Sequence, residues 1–449
     1  MRRDVGGWAV RWDSDRAAAA VRSGAWQNVT VATAAAELLA RAPERLLVIE
    51  GERGFTVRGI HAAAERLARA LLRRGLVPGD TITFQLPNWH EAMIVSLAAA
   101  MAGLVLNPIT PIYRDAEVGF MLADSRSKLV FVPATFRGYD FPAMLQRLRP
   151  GLDAPVDVVV LRGDAAGFTS WDALMAEGEG SAELPLPGAD PDAVKLVMYT
   201  SGTTGRAKGV IHSHNSLHAE NWMRQAHLGI GPDDILFNPS PVTHVTGMLY
   251  ALCLPFTLGV TTILMDVWDA SEAIASMRRH RATGMVASTI FLQELLAAGQ
   301  AQDEHLPDLR FFLCGGAQVR PELILDAGTH FANCAFSRIY GSTEVPMITA
   351  GVAGRDRAQL GAETDGQIFG TEARVVDPAT GAPVPPGDVG EIVARGPQMF
   401  LGYTREEDNR DAFDADGFFR MGDLGQLVHD DFIVITGRKK DLIIRGGEN

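Results

Sequence analysis

Cysteine is scarce. The three in 449 residues, Cys253, Cys314 and Cys334, stand in no CxxC spacing, so no disulfide framework is expected, only buried or inert thiols in a reducing compartment. Long hydrophobic runs are also missing. The longest, Ala92–Leu106, is too short to span a bilayer, and its Ala and Gly content suits a buried helix packed closely against a sheet. The opening "MRRDVGGWAVRWDSDR" has basic residues but no apolar segment of a secretory signal, so the expected location is cytoplasmic. Positive charge is in deficit. With 41 Lys and Arg against 54 Asp and Glu the net charge is −13, which argues against a general nucleic-acid or anionic-membrane surface. Any polyanionic ligand must be held by local groups rather than by the field of the whole molecule.

What is present is alternation. "LLVIEG", "FTV", "TITFQLP", "SKLVFVP" and "VDVVVLRG" read as strands, and "RGIHAAAERLARALLRRG" reads as an amphipathic helix closed by Gly75. The pattern predicts a doubly wound α/β architecture, and the length exceeds one ordinary core, so several subdomains are expected. "ELPLPGADPDA" near 183–193 reads as a surface connector. Helices become scarce from about Gly361, where short strands joined by Gly and Pro turns predict a small β-rich subdomain.

One stretch carries chemistry. "YTSGTTGRAKG", Tyr199–Gly209, lies between two runs of strand character and offers glycines, hydroxyls, an Arg and a Lys. Glycines let backbone N–H groups approach an anion, hydroxyls add donors, and Lys208 supplies a point charge suited to phosphate. An ordinary polar hairpin is the bland alternative. A Walker A loop is excluded, because Lys208 is followed by Gly209 and a strand rather than by Ser or Thr and a helix. A P-loop kinase or NTPase is disfavoured on the same ground.

The loop resembles the phosphate-binding motif of the adenylate-forming superfamily, and further matches follow in that family's order. They are "PVTHVTG" at Pro241–Gly247, "CGGA" at Cys314–Ala317, "YGSTE" at Tyr340–Glu344, "GEIVARGPQMFLGY" from Gly390, "GFFRMGDLG" from Gly417 and the closing "GRKKDLIIRGGEN". The resemblance implies the large N-terminal domain of these enzymes: layered α/β subdomains over 1–190 and 191–360, a β-rich subdomain over 361–437 and a hinge stub over 438–449. It implies attack of a carboxylate on the α-phosphorus of ATP, giving an acyl-adenylate and pyrophosphate, a reaction governed by positioning and charge stabilisation.

Residue by residue, the resemblance implies that Thr200, Ser201, Gly202, Thr203, Thr204, Gly205 and Lys208 hold the triphosphate. Glu344 would ligate Mg²⁺, and Thr343, beside Gly341 and Ser342, would reach the α-phosphate. Tyr340 would lie against the adenine, with the Gly315, Gly316 and Ala317 backbone along the base. Asp423 would accept from the ribose hydroxyls, and Arg438 would donate on the ribose or phosphate side. His244, Val245, Gly247 and Met248 belong to the acyl-pocket motif, a satisfied core histidine being the alternative for His244. His212, His214 and His218 match no zinc pattern.

Members that adenylate 2-hydroxyaryl acids carry Asn where Val245 stands, and the apolar neighbourhood suits an uncharged acyl tail: cyclic, aryl or medium-chain. Ser288 replaces a usual Pro, and the loop around Gln367 departs from a usual basic residue and Pro. Coenzyme A is the expected acceptor; the alternatives are a carrier protein, or a chain that only binds ATP and acyl-adenylate. Lys440 matches the hinge residue. The family's lysine-bearing C-terminal domain lies beyond it, so this chain is expected to lack that domain and to turn over slowly. Oligomeric state has no sequence signal.

Overall fold

The computed structural model describes residues 1–180, 184–200 and 206–439. They form two units, Met1–Asn221 with Ile230–Trp268 and Phe400–Glu406, and Trp222–Gly229 with Asp269–Met399 and Glu407–Asn449. In the first, seven strands lie in the order Thr169–Ser170, Asp157–Leu161, Ser127–Pro133, Thr81–Phe84, Val105–Pro108, Val194–Thr200 and Lys208–Ser213. All neighbours are parallel until the final pair, which is an antiparallel hairpin. Val105, Val130, Val132, Val158, Val160, Val197 and Ile211 bury one face of this sheet in a single cluster with Trp8 and Leu401.

The strands Ile235–Asn238, Thr261–Leu264 and Leu46–Glu50 form a second parallel run in the same unit, with Arg53–Thr56 folded back antiparallel on Leu46–Glu50. Helix Val57–Arg73 starts where the Thr56 hydroxyl accepts from the Gly59 amide at 3.2 Å. It buries Ile60, Ala64, Leu67 and Leu71 at helical spacing, and Gly75 ends it at φ +85°, a conformation that suits glycine. The apolar run Ala92–Leu106 is not one helix. Helix His90–Met101 stops, Gly103 turns the chain at φ +69°, and Val105–Pro108 continues as a strand. Among the described residues no helix is long and apolar enough to cross a membrane.

In the second unit, Gly284–Ser288, Phe311–Gly315 and Ala335–Arg338 are successive parallel strands connected by helices Thr289–Gln302 and Pro321–His330. The β-rich portion is a four-stranded antiparallel meander of Glu372–Val376, Gly390–Arg395, Phe419–Val428 and Phe432–Arg438. The mixed α/β architecture with a small β-rich part expected from the sequence is therefore what the chain forms. All three cysteines are buried and free.

Candidate functional site

The phosphate hairpin is built by two strands whose last paired residues are Thr200 and Lys208, preceded by Tyr199 opposite Gly209. Ser201–Gly205 and Lys440 lie outside the described residues. Both feet of the loop are held. Leu401 N–H donates to Ile211 C=O at 2.7 Å, Ile211 N–H to Gly402 C=O at 3.0 Å, and Thr404 N–H to Gly209 C=O at 2.8 Å. The segment Phe400–Glu406 thus covers the outer edge of the hairpin. Glycine at 209 is required by this closeness, because a Cβ there would sit 2.6 Å from Thr404 Cγ2 and 3.1 Å from the Tyr199 ring. Lys208 is half-buried with Nζ 4.9 Å from the Tyr403 ring centroid, a cation–π distance. Burial, then the Asp124 carboxylate beside it, pushes the Tyr199 phenol well above its ordinary range, so the phenol stays a donor.

The acyl-pocket motif begins at His244, which N-caps the short helix Val245–Gly247 by accepting from the Thr246 amide at 3.5 Å through Nδ1. Its ring keeps a solvent-exposed side, while desolvation lowers its pKa; the neutral ring is the form that can accept. A π-helix follows over Met248–Cys253, then helix Leu254–Leu258. Single π turns inside helices recur at functional sites. Val245 and Met248 are buried, and a Cβ on Gly247 would be driven into the Pro241 carbonyl. The loop before His244 is fastened by Asn88, whose Nδ2 donates to Ser240 C=O and Met265 C=O at 3.0 Å each and whose Oδ1 accepts from Val242 N–H at 2.8 Å. Sequence reading passed over Asn88.

In the second unit Gly315–Ala317 and Tyr340–Glu344 follow the carboxyl ends of parallel strands, where open α/β sheets bind ligands, and Asp423 and Arg438 lie in the meander. Gly315 ends one strand, and a Cβ there would lie 2.6 Å from Ile339 C=O on the next. Gly316 and Ala317 are exposed. Tyr340 follows the strand Ala335–Arg338, and its amide donates to Thr349 Oγ1 at 2.7 Å. Its hydroxyl donates to Asp423 Oδ2 at 2.6 Å. Asp423 faces Arg438 directly across two antiparallel strands, with Arg438 Nε 3.1 Å from Oδ1. Burial and then the Asp423 charge push the Tyr340 phenol well up.

Gly341 is exposed, Ser342 N–H donates to Val345 C=O at 2.9 Å, and Thr343 and Glu344 are buried. Glu344 offers carboxylate oxygens, the chemistry that Mg²⁺ takes, while the Ser342 hydroxyl accepts from the Val345 amide at 3.2 Å. Asp365 accepts from Arg338 Nη2 at 2.6 Å and from the Ile435 amide at 2.8 Å, joining the parallel strand to the meander. Ser288 ends its strand partly buried. Gln367, where the motif departs from relatives, joins Asp431 at 2.5 Å and Arg357 at 2.9 Å; its side chain ties this turn to the meander.

His214 and His218 meet edge-on, with ring centroids 5.8 Å apart. His212 Nδ1 lies 3.1 Å from Ser216 Oγ, and His218 Nδ1 lies 3.0 Å from Val29 C=O. Burial, then Lys195, lowers His214 far and takes His218 to about 3. Among the described residues, Glu50, His90 and Glu91 are the one trio whose ligand atoms could meet on a cation. Arg162 already occupies that place, with Nη2 2.5 Å from Glu50 and 2.7 Å from Glu91, so the group is an ion-pair network.

Residues 35–404 match the AMP-binding enzyme family. Over 447 residues the chain is 33% identical to the medium-chain fatty-acid–CoA ligase of Escherichia coli K12, covering 98% of this chain and 78% of that one. It is 31% identical over 460 residues to the salicyl-AMP ligase/salicyl-S-ArCP synthetase of Mycobacterium tuberculosis, covering 99% and 79%. The structure of ATP-bound MatB from Rhodopseudomonas palustris superposes with a TM-score of 0.81 at 28% identity, covering 93% of this chain and 81% of that one. With the family matched across most of its length, and the strand-end loops where such a fold binds ligands, the chain belongs to the AMP-binding enzymes, and its relatives include acyl-CoA ligases.

Proposed function

We propose that the chain activates an uncharged, hydrophobic carboxylic acid with ATP, forming an acyl-adenylate and pyrophosphate, and that the acyl group then passes to coenzyme A. The observation that carries this reading is Asp423. An almost fully buried carboxylate is held by one donor on each oxygen, from Tyr340 and Arg438, which fixes its orientation and leaves further lone pairs for a diol. An ionised carboxylate only accepts, as ribose hydroxyls require.

In this reading Thr200, Ser201, Thr203, Thr204 and Lys208 bind phosphate oxygens, Thr343 the α-phosphate, and the Gly315–Ala317 backbone runs along the adenine beside Tyr340. Mg²⁺ held by Glu344 supplies charge neutralisation at the phosphates. The acid lies against the segment from His244 through Met248. Val242, Val245, Met248, Leu249 and Leu252 are all buried there, and no charged side chain interrupts Val242–Leu258 apart from a neutral histidine. An α-amino acid would bring an ammonium with no carboxylate to meet it.

Pyrophosphate–ATP exchange across a panel of medium-chain, cyclic, aryl and α-amino acids tests the reading. Exchange with the apolar acids and release of AMP are expected; preference for an α-amino acid, or release of ADP, overturns it. A second reading, transfer to a carrier protein, draws on the Mycobacterium tuberculosis relative, whose name includes a carrier-protein synthetase activity. Val245 in place of Asn favours a non-hydroxylated acid, while coenzyme A as acceptor rests on the overall resemblance to acyl-CoA ligases. Supplying coenzyme A and a phosphopantetheinylated carrier in parallel separates the two.

A further inference from the structure

Asp124 closes helix Asp115–Asp124, a place where a carboxylate faces the negative end of the helix and works against it. Its side chain is nonetheless only 7% exposed. Three donors from two distant stretches of chain converge on it. The Tyr199 hydroxyl and the Thr404 hydroxyl each donate to Oδ2 at 2.8 Å, and Arg405 Nε donates to Oδ1 at 2.7 Å. Phe120, one turn earlier, sits edge-on to the Tyr199 ring at 5.9 Å between centroids and 5.3 Å from the Arg405 guanidinium.

Tyr199 is on one strand of the phosphate hairpin, and Thr404 grips the other. Tyr199 immediately precedes Thr200 on the incoming strand. Thr404 grips the outgoing strand, because its amide bonds Gly209 C=O at 2.8 Å and its side chain lies against Gly209. The ring of Tyr403, the residue before Thr404, receives the Lys208 ammonium. One buried carboxylate therefore sets the separation and pitch of the strand ends from which the loop springs, and through Tyr403 the height of Lys208.

We propose that Asp124 is a positioning residue for the ATP phosphates: it touches no substrate, and acts by holding Tyr199 and Thr404, and with them the strand-end residues Thr200 and Lys208, in place before ATP arrives. The inference rests on the ATP-dependent reading above. Phosphate-binding groups fixed in advance bind with a smaller entropic loss, so releasing the clamp on Thr200 and Lys208 weakens ATP and leaves the acid site alone. Asp124→Asn removes the charge that meets the Arg405 guanidinium, and its amide nitrogen can face the Tyr199 and Thr404 hydroxyls only if both turn from donating to accepting.

The test is pyrophosphate–ATP exchange, with direct ATP titration by calorimetry, on the wild-type chain, Asp124→Ala, Asp124→Asn and Tyr199→Phe. Asp115→Ala, at the exposed start of the same helix, is the control. KM and Kd for ATP are expected to rise about thirtyfold in Asp124→Ala, about tenfold in Asp124→Asn and about threefold in Tyr199→Phe, with KM for the acid unchanged and Asp115→Ala like wild type. A merely structural role lowers the melting temperature but leaves the ratio of the two KM values where it was, and that result overturns the inference. Should Asp124→Ala fail to fold, Asp124→Asn and Tyr199→Phe decide the matter by the same ratio. A wild-type chain that binds no ATP overturns the functional reading and the inference with it, whereas a wild-type chain that binds ATP with variants that bind it equally well overturns the inference alone.

Discussion

The Tyr340 hydroxyl donates to the Asp423 carboxylate at 2.6 Å although 83 residues separate the two. The bond joins the turn after a parallel strand to the middle of the antiparallel meander, and Arg438 completes it from the neighbouring strand. Removing only the donor therefore leaves Asp423 held on one side. Tyr340→Phe is expected to raise KM for ATP about five- to tenfold, and Asp423→Ala about a hundredfold, because the second change deletes the acceptor itself. Steady-state exchange kinetics at saturating acid check both. Equal effects would mean that Asp423 acts only through Tyr340.

Gly247 should tolerate no side chain. Its Cβ position points into the Pro241 carbonyl, and backbone cannot swing aside as a long side chain can. Gly247→Ala is expected to cost about 1–3 kcal/mol by overpacking, read as a lower denaturant midpoint with unchanged slope. Asn88→Ala, which releases the same loop, is expected to act in the same direction through its lost hydrogen bonds to Ser240, Val242 and Met265.

Acid should destabilise the first unit in two overlapping steps. Burial opposes ionisation of Glu50, but hydrogen bonds from His90 and the charge and hydrogen bond of Arg162 outweigh it and hold Glu50 at about 2 against an ordinary 4.5. A depressed carboxylate stabilises the fold above 4.5 and loses that contribution as pH falls toward 2. His218, buried and held at about 3 against 6.5, is neutral in the fold and charged in the unfolded chain between those values. Its term also weakens as pH falls, by up to about 1.4 kcal/mol per pH unit. Urea unfolding from pH 8 to pH 4 should show stability falling from about pH 6.5 downward, and His218→Leu should flatten that upper limb.

Acyl selectivity should respond to position 245. In the proposed reading Val245→Asn introduces an amide into an apolar wall, where it needs a polar partner. A 2-hydroxyaryl acid supplies one. The ratio of exchange rates for a 2-hydroxybenzoic acid over the unhydroxylated acid is expected to rise about tenfold, with the rate for a medium-chain acid falling. No change in that ratio would remove Val245 from the acyl site.

Much of the scaffold was legible because it is local. Val194–Thr200 and Lys208–Ser213 are apolar runs broken by a glycine-rich loop, and the pairing of Thr200 with Lys208 follows from where that loop begins and ends. Helix Val57–Arg73 announces itself by its apolar spacing and by Gly75. The run Ala92–Leu106 misled, since composition alone does not separate a buried helix from a buried strand, and the turn at Gly103 divides it. Asp124 and Asn88 were invisible. An aspartate at a helix end reads as a solvated group, and nothing in its neighbours reveals that its partners lie 75 and 280 residues downstream. Asp365 and the Glu50–Arg162 pair share that character: long-range polar contacts leave no periodicity to read.

Among the described residues, the strand Lys208–Ser213 receives its outer neighbour from Leu401–Thr404. During translation, roughly 190 residues must be added after the hairpin leaves the ribosome before that neighbour exists, or roughly 10–40 s at about 5–20 residues per second. Throughout that interval the nascent chain displays an open β edge bearing Val210 and Ile211, the sort of template on which chains associate. Ribosome-bound intermediates stopped before residue 400 should therefore lean on chaperones, and those released after residue 406 should not.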